Sequence, residues 1–255
     1  MNDDPRAELA AIAASLRAYL SWQQDSGAIG FPRAARGATT STSTPTPTPT
    51  PTSTSTPAPD SAVRLPQLAL EVASCTRCAL APTRTHAVFA RGNPQARLCF
   101  VGEAPGADED AQGLPFVGRA GQLLDRMIGA MGLSPEQDVY VCNIIKCRPP
   151  GNRRPEPEEI ATCIPYLHEQ LALVRPRVIV ALGNTAVAAL LDTKVGVTRL
   201  RGEWKLYRGQ TLVMPTYHPS YLLRPSAQQV EAKRQAWQDL QLVMKELGLE
   251  PPAKK

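Results

Sequence analysis

Long apolar runs are missing from this 255-residue chain. No stretch approaches the ~20 residues that a membrane-spanning helix needs, so no place in a membrane is expected. The opening residues MNDDPRAE lack the basic-then-apolar order of a secretory signal, and the chain reads as cytoplasmic. Aromatic residues make up only 5% of the sequence, and there are three histidines and six cysteines. In a reducing compartment, grouped thiols bind metal more often than they pair as disulfides. The net charge of +5 and the pI near 9.0 permit an anionic partner. A balance this mild does not by itself require nucleic acid.

Proline is abundant, with 25 residues. Many lie in GATTSTSTPTPTPTPTSTSTPAPD, which has no large apolar group and no charge before its last residue. Such a segment cannot build a core, and its prolines favour an extended backbone, so 37–61 reads as a semi-stiff linker. Ahead of it, Leu9, Ile12, Leu16 and Leu20 recur at helical spacing. Residues 1–36 therefore read as an extension with a short amphipathic helix, one that a protein partner could use. The folded domain is expected over 62–249, followed by a short tail, 250–255.

Within that domain four apolar runs read as buried strands: RLCFVG (97–102), VYVCNII (139–145), RVIVALG (177–183) and TLVMPTYH (211–218). Helical patterns separate them, in GQLLDRMIGAMG, EPEEIATCIPYLHEQLALV and NTAVAALL, and a long one, AQQVEAKRQAWQDLQLVMKEL, follows the last. This alternation predicts an α/β fold, a three-layer α/β/α sandwich around a central four-stranded, mainly parallel sheet. Uninterrupted apolar strands fit a sheet covered on both faces. Ligands of such sheets bind beyond the carboxyl ends of the strands, which here run into GEAPG (102–106), NIIKC (143–147), GNTAV (183–187) and HPSYLLR (218–224).

Cys99 and Cys142 sit inside strands and read as small buried hydrophobes. Cys75 and Cys78 form a C-x2-C knuckle, while Cys147 and Cys163 are single residues with fifteen positions between them. Four thiolates can close a tetrahedral zinc site or hold an iron–sulfur cluster, and the spacing leaves both open.

GEAPGADEDAQGLPFVGRAGQLLDRM, NIIKCRPPGNRRP and HPSYLLR together resemble the family 4 uracil-DNA glycosylases, the iron–sulfur branch of their superfamily. The resemblance spans roughly residues 66–247 and implies a monofunctional glycosylase. Such an enzyme flips uracil out of DNA, hydrolyses its N-glycosidic bond and leaves an abasic site for base excision repair. It implies a [4Fe–4S] cluster on Cys75, Cys78, Cys147 and Cys163. Glu103 and Ala104 match the first motif, with Ala104 where many members carry glycine. Phe116 matches the aromatic that stacks on the flipped base, Asn143 the side chain that reads its edge, and His218 the start of the second motif. Leu222 falls where the superfamily inserts a wedge into the duplex. The insertion that carries a covalent histidine in one related branch is absent. Uracil-containing DNA is the implied partner of a monomeric enzyme. A related glycosylase with another base preference, or an inactive metal-containing DNA-binding module, would share these motifs.

Each implied role has a physical reason. A base inside the stack is out of reach of an active site, so the nucleotide must be extruded. Leu222, with Leu223, either fills the gap left behind or is core at a helix start. The Asn143 amide offers one donor and one acceptor, matching the N3–H and O4 of uracil and opposing cytosine. Phe116, in a Gly- and Pro-flanked loop, suits stacking. His218 can donate to the departing uracil anion. Glu103 can position water or stabilise the cationic sugar. Arg148, Arg153, Arg154 and Arg224, with Lys146, are expected to meet phosphates.

Overall fold

The structure, a computed structural model, describes residues 59–249. The helix expected within residues 5–22, the linker up to residue 58 and the tail 250–255 lie outside the described residues. The first helix, α1 (Pro59–Ala73), begins within the final residues of the stretch read as linker. It buries Leu68 and Val72 and leads straight to Cys75.

Six strands form one sheet: β1 (Arg91–Gly92), β2 (Leu98–Gly102), β3 (Val139–Asn143), β4 (Val178–Leu182), β5 (Lys205–Tyr207) and β6 (Thr211–Thr216). Their order is β1-β3-β2-β4-β6-β5. The four central strands are the ones expected, and all run parallel. The sheet is wider than the four strands expected, because β1 and β5 add antiparallel edges. These two are only two and three residues long and carry Arg91 and Lys205. Short, charged strands protect sheet edges from further pairing, and for the same reason they leave no apolar run in the sequence.

Every residue of β2, β3 and β4 is buried, and alternate side chains serve opposite faces. Cys99, Val101, Cys142, Ile179 and Ala181 meet one group of helices. That group comprises α4 (Pro157–Val174), through Leu167 and Leu171, and α5 (Gly183–Leu191), through Ala186, Val187 and Leu190. Leu98, Phe100, Val141, Val180 and Met214 meet α3 (Arg119–Ala130), through Leu124 and Ile128, and α8 (Gln229–Leu247), through Leu240 and Val243. Three short helices lie in the connections: α2 (Ala107–Gln112), α6 (Val197–Leu200) and α7 (Pro219–Leu222).

One polar cluster ties α8 to the end of β6. Asp239 is fully buried and receives Arg201 Nη2 at 2.5 Å and Nε at 3.1 Å. The Thr216 hydroxyl donates to the same carboxylate at 2.6 Å, two residues before His218. Burial pushes the Asp239 carboxyl up, against the pull of these donors. Replacing Asp239 with Ala leaves the guanidinium unpaired against the core. The expected loss is about 3 kcal/mol of folding stability, measured by urea unfolding.

Candidate active site

A cavity of about 730 Å³ opens where the four parallel strands end. Glu103, Ala104, Phe116, Asn143, Arg153, Arg154, His218 and Arg224 all border it, so most of the expected site residues share one space.

Its floor is set by a close approach. Gly102 and Asn143 are opposite each other at the ends of β2 and β3. A side-chain carbon on Gly102 would lie 2.5 Å from the Phe116 ring and closer still to Asn143 Oδ1. Glycine is therefore required for these two groups to sit together. Asn143 is buried, and its Oδ1 has no protein partner. An orphaned acceptor at the bottom of a cavity is costly unless something else supplies a donor.

Phe116 adopts a left-handed backbone with φ of 57°, unusual for a bulky residue. Its loop is over-determined. Arg91 Nε donates to the Pro115 carbonyl at 2.9 Å, and its guanidinium pairs with Asp125 on α3. Glu109 on α2 accepts the amides of Val117 and Gly118 with one oxygen and that of Gly106 with the other, all at 3.0 Å. The Phe116 ring stacks near His218, with centroids 5.6 Å apart and planes at 30°.

His218 caps α7. Its Nδ1 accepts the Ser220 amide at 3.1 Å and lies 2.8 Å from the Ser220 hydroxyl. With Nδ1 an acceptor, the proton of the neutral ring is on Nε2. Burial, with the nearby charge of Arg224, lowers the imidazole from its ordinary 6.5 to about 4. Glu103 receives the Thr185 hydroxyl on Oε2 at 2.5 Å.

Several expectations are corrected. Leu222 is only 2% exposed and packs in the core, as a helix-start core leucine does. Lys146 is 1% exposed and its ammonium donates to the Asn143 carbonyl at 2.8 Å; buried there, it cannot reach phosphate. Arg153 borders the cavity but is held in a two-bond pair with Glu159, at 2.6 and 2.9 Å. Arg148 does not line the cavity and bonds Asn152 Oδ1 at 2.7 Å within its own loop. Arg119, which sequence reasoning passed over, borders the cavity with Arg154 and Arg224. None of these three has a carboxylate partner among the described residues. Glu109 and Thr185 were also passed over. Both stand inside or beside the strand-end motifs, yet their roles depend on contacts between separate segments.

A second, smaller cavity is bordered by Lys146 and by Cys75, Cys78, Cys147 and Cys163. These are the four thiols singled out by position in the sequence. Among the described residues no three His, Cys, Asp or Glu side chains are grouped as ligands of one metal ion. The four cysteines border one shared space. Cationic and backbone donors face them: Arg84 reaches Cys147 Sγ at 3.2 Å, and the Lys146 amide reaches Cys163 Sγ at 3.3 Å. Burial pushes Cys163 up to about 11 and also raises Cys147. At Cys75 burial is outweighed, and Tyr166 and Arg77 hold the thiol below its ordinary range.

Fold and site together place an unpartnered amide oxygen and an aromatic ring in a cavity at the carboxyl edge of a parallel sheet. A model of the uracil DNA glycosylase superfamily matches residues 89–241. A Type-4 uracil-DNA glycosylase of Thermotoga maritima is 50% identical over 154 residues, covering 60% of this chain and 80% of that protein. The Type-4 enzyme of Archaeoglobus fulgidus is 44% identical over 166 residues, 62% of this chain and 83% of that protein. A Type-5 uracil-DNA glycosylase of Pyrobaculum aerophilum is 34% identical over 146 residues, 51% and 64% of the two chains. The chain belongs to the uracil-DNA glycosylase superfamily, and within it to the type-4 family.

The lowered imidazole has a measurable consequence. The unfolded chain protonates His218 near 6.5 and the folded chain only near 4. Between those values the unfolded state binds more protons, so this residue makes the fold lose stability as pH falls from about 6.5 to about 4. A neutral His218→Gln variant is expected to show a shallower acid loss in that window in pH-dependent melts.

Proposed function

We propose that this chain excises uracil from DNA by hydrolysing the N-glycosidic bond. The observation that carries this reading is the orphaned Oδ1 of buried Asn143 beside the Phe116 ring, at the base of the cavity. Uracil presents N3–H where that oxygen needs a donor. Cytosine presents a bare nitrogen there, and leaving both acceptors unpaired disfavours it strongly. Phe116 offers a face for stacking, a contact typically worth ~1–3 kcal/mol per base.

The bond between sugar C1′ and base N1 breaks with its electron pair passing to the base. His218 meets the growing negative charge with its Nε2–H. A neutral donor suits this role because it stabilises the anion without surrendering its proton. Glu103 faces the opposite charge, at the sugar, where a carboxylate stabilises the cation and orients the water that adds to C1′. The water supplies the hydroxyl at C1′, and its proton balances the base anion through solvent, giving free uracil and an abasic strand. Ala104 borders the same space and narrows it beside the base. Arg119, Arg154 and Arg224 supply cations to the DNA backbone, and Arg148 and Arg153 act by shaping the loop that carries Arg154. No step uses a lysine nucleophile. The lysine near Asn143 is buried and engaged.

Cys75, Cys78, Cys147 and Cys163 would hold a [4Fe–4S] cluster. Four cysteines around a shared space can supply the four thiolates that such a cluster takes. When bound, the cluster supplies a structural clamp. The chain residues do the rest: Arg84 and the Lys146 amide offer donors to the sulfurs, and Arg77 stacks on Tyr166 at 4.2 Å beside Cys75. DNA is the partner in this reading, the cytoplasm the compartment and a monomer the working unit. In this reading the catalytic domain takes in the helix that starts at Pro59 and runs on to Leu249.

Among the described residues no helix is long and apolar enough to cross a membrane. The deciding assay is single-turnover release from a one-uracil oligonucleotide, read after alkaline cleavage. Wild-type protein is expected to cleave, with no borohydride-trapped adduct. Asn143→Ala is expected to lose about a hundredfold or more in rate. Release of cytosine in place of uracil, or an inactive wild type, would defeat the reading. For the thiols, the purified protein is expected to be brown and to contain iron, and Cys163→Ser to lose both colour and iron.

A further inference from the structure

Gly183, Asn184 and Thr185 form the first turn of α5, and the functional reading gives them no role. Gly183 has φ of 85°, and a side chain there would meet His218 Cβ at 3.0 Å, so the turn packs directly behind that histidine. Asn184 Oδ1 accepts the Val197 amide at 2.7 Å, fixing α6 to the same turn. Thr185 is 2% exposed, and its hydroxyl donates to Glu103 Oε2 at 2.5 Å. Among the described residues this is the only side-chain partner of the Glu103 carboxylate. Both Glu103 and Thr185 border the large cavity.

We propose that Thr185 is a positioning residue that fixes the rotation of the Glu103 carboxylate, so that Oε1 faces the sugar of the flipped nucleotide. This rests on the glycosylase reading above and adds a further residue to it. A carboxylate on a freely turning side chain presents either oxygen to water in several directions. One short hydrogen bond from a buried hydroxyl removes that freedom before substrate arrives, and pre-organised charge is what lowers a barrier with developing charge. Because the same turn backs His218, it sets the distance between the group that faces the sugar and the group that faces the base. Threonine suits the position: its hydroxyl is the donor, and its branched carbon restricts the rotamer.

The test compares Thr185→Val with Thr185→Ser, each in the wild-type and Glu103→Ala backgrounds, by single-turnover release from a one-uracil oligonucleotide. Valine keeps the shape and removes the donor, and serine keeps the donor. Thr185→Val is expected to slow release by about tenfold while the Kd for the DNA stays the same, and Thr185→Ser is expected to restore most of the rate. Once Glu103 is Ala, Thr185→Val should cost nothing more, because the carboxylate it orients is gone. Equal losses in both backgrounds, or a wild-type rate for a folded Thr185→Val protein, would overturn the proposal. If the valine variant does not fold, Thr185→Ala reads the same coupling without a methyl to accommodate. A wild-type chain that releases no uracil at all would remove the functional reading and this proposal together, whereas additive losses in an active enzyme remove only this one.

Discussion

The approach of Gly102, Asn143 and Phe116 at the carboxyl edge of the sheet is the constraint around which the rest of the site is arranged. Two neighbouring parallel strands end level with one another. The missing side chain at Gly102 lets an aromatic ring and an amide occupy the same few ångströms. The left-handed Phe116 backbone accompanies that crowding, and Arg91 and Glu109 hold the loop in it. Strain of this kind persists only where surrounding contacts over-determine the conformation. Here those contacts come from β1, α2 and α3, and of these only β1 does not itself border the cavity.

Electrostatically the cavity is divided. Its border carries Arg119, Arg154 and Arg224 without acid partners among the described residues, while its base is nearly neutral, with an amide, a ring and an uncharged imidazole. Glu103 is tied to a hydroxyl and not to a cation. Cations that lack partners are free to meet a polyanion, whereas Arg153 and Arg201, already paired, stabilise the fold. The same residue type thus serves two purposes, and the difference lies in whether a carboxylate stands beside it.

What is local and periodic was legible in the sequence. The central strands, their parallel direction, the major helices between them and the strand ends that carry the site all follow from apolar runs and their spacing. The residues at those ends, Glu103, Asn143 and His218, were identifiable because their motifs are contiguous. The two edge strands were not legible, since Arg91–Gly92 and Lys205–Tyr207 have no apolar run to announce them. Leu222 and Lys146 mislead in opposite ways. A leucine after a histidine–proline turn suits either a wedge or a core, and only packing decides. A lysine next to a cysteine on a basic loop looks solvated, yet its chain runs inward to a carbonyl. Glu109 and Thr185 act across sequence distance, on Val117 and on Glu103, and no periodicity encodes such pairs.

The buried lysine has a mechanical side. Asn143 and Cys147 are four residues apart, and Lys146 bridges them: its backbone precedes Cys147 and meets Cys163, while its ammonium grips the Asn143 carbonyl. One end of this short segment is held among the cysteines and the other presents the Asn143 amide to the cleft. Cysteine sulfur and cleft amide are thus separated by one residue's hydrogen bonds, so the placement of each is set in part by the same side chain.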